Sequence, residues 1–321
     1  MGQPRDVRGA QGRKSDAARY LCVNMTKQII VISGPTAAGK TTMALQLARW
    51  LKVPVVSADS RQIFEKVDTG TAKPTKLELQ EVKHYFIDHV SVEGHYSAGQ
   101  YQAEASAIIT DLLRVYGHVL ICGGTGLYLR AITSGLDDLP ATDNEIRKSV
   151  QIEFEAHGIS FLQEFIKEND PVYFNEVDLN NSRRLTRAVE VIRQTGKPFS
   201  YFRKGFQAPG KDAIVTEINL TMDRTSLYAR IDQRVDQMMQ QGLLDEARTL
   251  ILFRECQALK TVGYSELFEY LDGKCSLDEA VNKIKQHTRN YAKRQITWFR
   301  KFNTGEVLYP DELDKAKSLV L

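Results

Sequence analysis

The sequence predicts an α/β protein in which a parallel sheet carries helices on both faces and an all-helical segment is inserted into it. Three observations predict this. Short β-branched or apolar runs at Gln28–Ser33, 53–57 and 119–122 each lead into a small or glycine-rich turn, as strands buried on both faces require. Residues 41–51, after the first run, carry apolar side chains at helical spacing, the alternation that builds parallel sheets with helical crossovers. From about Thr142 the texture is helical without strands, and strand-like residues return at 213–220.

Taken in order, residues 1–24 lack apolar periodicity and read as a disordered leader upstream of Met25. Arg5, Arg8, Arg13, Lys14 and Arg19 also admit a reading as an RNA-touching arm. Residues 25–136 form the first part of the core and 137–211 the helical insertion. Within the insertion, Asn169-Asp170-Pro171 and Thr195-Gly196-Lys197-Pro198 are helix stop signals. Residues 212–309 resume the core and end in a basic helix, and 310–321 read as a tail.

The 321 residues are 42% hydrophobic and 26% charged, a balance that excludes general disorder. A net charge of +3 does not by itself imply nucleic acid, so any such claim rests on charge distribution. Cys22, Cys122, Cys256 and Cys275 are far apart and form no CxxC or Cys/His cluster, which argues against zinc and a disulfide framework and fits a reducing cytoplasm. No apolar run is long enough to span a bilayer, and 1–24 lacks the apolar region of a signal peptide.

Gly34-Pro35-Thr36-Ala37-Ala38-Gly39-Lys40-Thr41 matches the Walker A pattern, after a strand and opening a helix, which makes the core P-loop NTPase-like. The glycines let backbone N–H groups close around phosphate oxygens at a helix N-terminus. Lys40 supplies charge to the terminal phosphates and Thr41 a hydroxyl ligand for Mg²⁺. The loop implies a diphosphate or triphosphate without saying which chemistry follows.

A second set of residues narrows that choice. Val56-Ser57-Ala58-Asp59-Ser60-Arg61-Gln62-Ile63-Phe64 and Thr69-Gly70-Thr71-Ala72-Lys73-Pro74 follow the P-loop. Further on come Gly123-Gly124-Thr125-Gly126-Leu127-Tyr128, Arg184-Leu185-Thr186-Arg187-Ala188, Val262-Gly263-Tyr264 and Lys293-Arg294-Gln295-Ile296-Thr297-Trp298-Phe299-Arg300. In this order the stretches resemble the tRNA dimethylallyltransferases of the IPP transferase family, over roughly residues 27–303. No C2H2 zinc element follows the core, so the resemblance is to the bacterial type.

The resemblance implies transfer of a dimethylallyl group from dimethylallyl diphosphate to the exocyclic amine of the adenosine 3′ of the anticodon, with the tRNA anticodon stem-loop clasped between core and insertion. It implies Asp59 as general base, with Thr36, Lys40 and Arg234 acting at the diphosphate. It further implies tRNA contacts at Asp59, Ser60, Arg61, Gln62, Thr125 and Arg147. Arg183, Arg184, Leu185, Thr186 and Arg187 match tRNA-contacting positions, as do Lys260, Thr261, Val262, Gly263, Tyr264 and Ser265. The run Lys293, Arg294, Gln295, Ile296, Thr297, Trp298, Phe299 and Arg300 completes the set. Two departures stand out: Phe64 replaces the more usual Tyr but keeps an aromatic contact possible, and Arg183 occupies a variable position. A monomer is expected.

The chemistry agrees with these roles. An exocyclic adenine amine is a poor nucleophile, so a carboxylate that takes its proton as the bond forms helps. Asp59 ends a buried strand beside the P-loop, where such a base belongs and where an indirect Mg²⁺ ligand would also stand. The departing diphosphate gains charge, which Lys40, Mg²⁺ on Thr41, the loop N–H groups and Arg234 would stabilise. Arg230 and Arg234 lie four apart with Asp232 and Asp236 interleaved, which also fits a solvated ion-pair face. Small-molecule kinases share the Walker loop. GTPase-like RNA-binding modules need an NKxD motif, which this sequence lacks.

Residues 280–305 hold seven lysines and arginines and no Asp or Glu. At 100° per residue, Lys285, Arg289, Lys293 and Arg300 form one stripe and Lys283, Arg294 and Lys301 a second. Val281, Ile284, Tyr291, Trp298 and Phe302 form an apolar third. This face serves either solvation or RNA phosphates. Tyr264 and Trp298 are candidates for stacking on bases or for the core.

Overall fold

A computed structural model describes residues 26–137, 139–203, 213–302 and 304–320. The 1–24 leader lies outside the described residues. The chain divides into two compact units, Met1–Thr133 with Ala208–Leu321 and, inserted between, Ser134–Gln207.

The larger unit opens with β1 (Gln28–Ser33), α1 (Lys40–Leu51), β2 (Val55–Ser57), α2 (Lys76–Glu81) and β3 (His84–Tyr85). Then follow α3 (Ala98–Tyr116), β4 (His118–Cys122) and α4 (Gly126–Thr133). The inserted unit holds α5 (Asn144–Asn169), α6 (Pro171–Phe174) and α7 (Ser182–Thr195). The larger unit resumes with β5 (Ile214–Leu220), α8 (Arg224–Gln240), α9 (Leu243–Thr249), α10 (Tyr264–Leu271), α11 (Leu277–Phe302), β6 (Glu306–Leu308) and α12 (Leu313–Ser318).

Six parallel strands form one sheet in the order β3-β2-β4-β1-β5-β6. Alternation along each strand feeds two cores, because successive side chains point to opposite faces. Ile29 and Val31 of β1, Val56 of β2 and Val119 and Ile121 of β4 join the core under α3, α4, α10 and α11. Ile30, Ile32, Val55, Leu120 and Ile218 join the core under α1, built on Met43, Leu45 and Leu47. The parallel sheet with helices on both faces thus agrees with the sequence.

Two short strands escape sequence reading. β3 and β6 have two and three residues and pair only with β2 and β5, too short for any period to register. The segment 310–321, expected as a tail, holds a short helix. Beyond β6 the chain turns at Pro310, and α12 buries Ala316 and then Val320 against the α1 core.

In the inserted unit, α5 and α7 pack around Val150, Leu162, Ile166, Leu185, Val189 and Val191. Gly158, at φ 71° and ψ −163°, breaks α5 into two pieces. The helices end at the stop signals: α5 at Asn169, before Pro171, and α7 at Thr195, with Gly196 left-handed as its cap. Asp170 caps the next turn by accepting from Tyr173 N–H and also holds Ser200, which ties α6 to the 3₁₀ turn Phe199–Phe202.

Candidate active site

The site forms where β1, β2 and β4 end, since loops leaving the carboxyl ends of parallel strands open one crevice. The P-loop leaves β1, Asp59 lies just past β2, and the loop 123–125 leaves β4. Backbone bonds lock the three together: Gly123 N–H donates to Ile32 O (3.1 Å), Ala58 N–H to Cys122 O (2.8 Å) and Thr125 N–H to Ala58 O (3.2 Å). Thr125 Oγ1 accepts from Ser60 N–H at 3.0 Å, so the β2 and β4 loops move as one piece.

Gly39 stands at φ 89° before α1, a left-handed conformation that favours glycine at the turn into the helix. A cavity of about 450 Å³ opens there, bounded by Gly39, Lys40, Thr41, Arg230 and Arg234. Among the described residues Lys40 and Arg234 form no ion pair: Lys40 Nζ donates to Pro35 O (2.8 Å), and Arg234 makes a long 3.5 Å bond to Thr36 Oγ1. Burial lowers the Lys40 pKa to about 8 against the opposing pull of the Asp59 carboxylate, and burial likewise lowers that of Arg234. Burial raises the Cys122 thiol to about 11, which keeps it a neutral packing residue.

Asp59 Oδ1 accepts from the N–H groups of Arg61 (2.8 Å) and Gln62 (3.3 Å), a tight turn that holds the carboxylate in place. Among the described residues Oδ2 has no hydrogen bond, so one oxygen remains to accept a proton. Thr41 is exposed at the head of α1 beside the cavity, and no group of three or more His, Cys, Asp or Glu with metal-ligand spacing occurs among the described residues. One protein hydroxyl fits Mg²⁺ held chiefly by diphosphate oxygens and water.

The residues matched to tRNA contact separate sharply. Lys260, Ser265, Lys293, Arg294, Thr297, Arg300, Arg183 and Arg184 are exposed. Arg147 is partly exposed 3.9 Å from Glu190, and Arg187 is tied to Thr142, Glu190 and Pro140 O, so it braces its own unit. Thr186, Thr261 and Ile296 are half-buried, Ile296 against Leu227 and Ile231. Arg61 donates to Gln257 O (2.5 Å) and Lys260 O (3.3 Å), while Gln62 holds Thr71 O and Ala72 O.

Other members of the set are wholly or partly enclosed in the protein interior. Leu185 and Phe299 belong to cores, and Gly263 and Val262 sit at the buried head of α10. Phe64 is fully buried, so it offers no aromatic surface. Tyr264 cannot stack on a base, because its ring is enclosed and its hydroxyl donates to Glu246 Oε1 at 2.5 Å. Trp298 lies half-buried against Phe302 and over Gly126, where an added Cβ would come within 2.1 Å of Nε1. Gln295 is buried between two loops of the site.

The basic face also divides. Lys285 pairs with Asp236 at 2.6 Å, Arg289 with Asp232 at 2.5 Å and Lys283 with Glu269 at 2.8 Å. These cations knit α11 to α8 and α10, whereas Lys293, Arg294 and Arg300 form no such pair among the described residues. The Asp232 and Asp236 pairs therefore run between helices and not with Arg230 and Arg234.

Glu246 escaped sequence reading. Its carboxylate accepts from the N–H groups of Asp68 (3.3 Å), Thr69 (2.8 Å) and Gly70 (3.0 Å), pinning the segment that begins Thr69-Gly70-Thr71. In sequence it is one acid on a short amphipathic helix, and only the tertiary contact distinguishes it.

A Walker A loop at the carboxyl end of a parallel sheet, with half-buried cations and a turn-held aspartate beside it, defines a P-loop protein built to take a phosphorylated ligand. The family model described as IPP transferase matches residues 62–302. The tRNA dimethylallyltransferase of Cytophaga hutchinsonii is 42% identical over 92% of this chain and 97% of its own. The solved tRNA isopentenylpyrophosphate transferase of Bacillus halodurans superimposes with a TM-score of 0.64 at 35% identity, covering 92% of this chain and 93% of that one. A eukaryotic dimethylallyltransferase solved acting on tRNA, 24% identical, shares the fold at a TM-score of 0.75 over 91% of this chain and 76% of that one. This chain belongs to the IPP transferase family.

Proposed function

We propose that this chain carries out prenyl transfer at the crevice just described, with tRNA as acceptor. A dimethylallyl group passes from dimethylallyl diphosphate to the exocyclic amine of the adenosine 3′ of the anticodon, giving isopentenyladenosine and diphosphate. The observation that supports the assignment of roles is the pair of half-buried cations, Lys40 and Arg234, on one cavity, with no carboxylate pair among the described residues. Desolvating a cation without a partner is costly, and an anionic ligand offsets that cost.

The diphosphate binds over the N-terminus of α1, where the loop N–H groups and the helix dipole favour it. As the allylic C–O bond breaks, charge grows on the leaving oxygens, and Lys40 and Arg234 meet that charge. Thr36, in contact with Arg234, orients the reacting end of the donor. Asp59 accepts the amine proton through Oδ2 as the N–C bond forms. Mg²⁺ on Thr41 would supply further neutralisation of the diphosphate. Exposed Lys293, Arg294 and Arg300 on the larger unit and Arg183 and Arg184 on the inserted unit give phosphate contacts for tRNA.

The test is incubation of the purified chain with labelled dimethylallyl diphosphate and tRNA, followed by mass analysis of the nucleosides. Isopentenyladenosine is the expected product. Absence of prenylated adenosine, with label from γ-labelled ATP reaching a small acceptor, would replace this reading with a kinase.

A further inference from the structure

α11 carries exposed cations on one side, and on the other Gln295 reaches the reaction centre through two hydrogen bonds. Its Oε1 accepts from the Thr36 N–H of the P-loop at 2.8 Å, and its Nε2 donates to Gly124 O of the β4 loop at 2.9 Å. The carboxamide is buried and both its ends are committed inside the larger unit. It therefore has no face to offer RNA.

The fit is close on every side. A Cβ on Gly124 would stand 2.5 Å from Gln295 Nε2 and 3.6 Å from Lys40 Nζ, so the amide, the glycine and the P-loop lysine share one small volume. Thr36, held by its N–H, presents Oγ1 to Arg234. A primary amide suits this place because it is neutral and supplies one donor and one acceptor side to a loop N–H and a loop C=O that face each other. A carboxylate could not donate, and an apolar side chain would leave both loop groups unpaired.

We infer that Gln295 is a positioning residue for the transfer reaction, setting the start of the P-loop so that Thr36 and Arg234 meet the departing diphosphate. This rests on the prenyl-transfer reading, although the cradle itself can be probed without transfer. The consequence is that one helix serves both substrates with opposite faces. Lys293 and Arg294 act on tRNA capture, and Gln295, one and two residues on, acts on the diphosphate step.

Gln295→Met keeps the length and removes both hydrogen bonds. Gly124→Ala leaves Gln295 intact but displaces its amide from the other side, and serves as the second variant if the first does not fold. Each is compared with the wild type for inorganic pyrophosphate affinity by calorimetry, for single-turnover transfer and for affinity toward an anticodon stem-loop RNA. The expected result is pyrophosphate binding weakened about tenfold and transfer slowed by about 10², with RNA affinity within twofold. The double variant should be no worse than the poorer single one, because both remove the same interaction. Weakened RNA binding with pyrophosphate affinity at the wild-type value would make Gln295 a tRNA contact and overturn the inference. Unchanged values throughout, or fully additive losses in the double variant, would also overturn it. A wild-type chain that binds pyrophosphate but transfers nothing would contradict the proposed reaction and leave the pyrophosphate comparison to decide on Gln295.

Discussion

The cations of the P-loop crevice and those of the inserted unit follow opposite rules. In the crevice, Lys40 and Arg234 are half-buried, and their side chains bond to a carbonyl and a hydroxyl with no carboxylate pair among the described residues. In the inserted unit, Arg193 grips Glu153 through two nitrogens at 2.5 and 2.9 Å, and Arg187 reaches Glu190 at 3.3 Å. Paired arginines complete a surface that is stable by itself. Half-buried cations without a carboxylate pair keep their charge available to an anionic substrate.

The largest effect expected from breaking this contrast is at Lys40. Lys40→Ala should reduce transfer by about 10³ while leaving affinity for stem-loop RNA within twofold, because its work is on the diphosphate. A parallel loss of RNA affinity would show that the two substrates do not occupy separable surfaces. Next comes pH. With Lys40 lowered to about 8, the free enzyme loses that charge as pH rises through 8, whereas a bound anion favours the protonated form. Pyrophosphate affinity should therefore fall above pH 8, with proton uptake on binding measurable by calorimetry in buffers of different ionisation enthalpy. A flat profile from pH 7 to 9.5 would remove Lys40 from the cradle.

Smaller effects separate the cations of α11. Neutralising Lys293, Arg294 and Arg300 should flatten the salt dependence of RNA binding, by about 0.7 to 0.9 in log–log slope for each phosphate that is no longer neutralised. Neutralising Lys285 and Arg289 should leave that slope unchanged, since Asp236 and Asp232 already hold them. Equal slopes for the two sets would erase the distinction. Least of all, Arg193→Ala should cost no more than about 1 kcal/mol of stability, as expected for a partly exposed pair. Thermal unfolding reads this directly, and transfer rates should not change.

These comparisons show which parts of the molecule the sequence could disclose. The P-loop, Asp59 and the three central strands were legible because each depends on local order: a glycine pattern, a strand end, a run of β-branched residues. β3, β6 and α12 were not, because elements of two to six residues carry too little period to read. The basic helix was half legible. Its stripes follow from spacing, but Asp232 and Asp236 claim Arg289 and Lys285 across a tertiary contact that no spacing reveals. Gln295 and Tyr264 were recognised as members of shared motifs and placed on the RNA side, whereas burial assigns them to the interior. Such motifs mark positions that matter without saying which way a side chain faces. Glu246 gave no signal at all, since its three backbone partners lie about 177 residues away in the chain.

In the proposed reaction, Asp59 serves the chemical step beside a cradle that serves the leaving group. Asp59→Asn keeps the size and the acceptor for the Arg61 and Gln62 N–H groups but removes the charge that takes the amine proton. Single-turnover transfer measured against Mg²⁺ concentration tests this most directly. The expected rate is slower by about 10² to 10⁴ at every Mg²⁺ concentration, with pyrophosphate and stem-loop RNA bound as tightly as by the wild type. Full recovery of the rate at high Mg²⁺, accompanied by weakened metal-dependent diphosphate binding, would make Asp59 a metal ligand and contradict its role as the base.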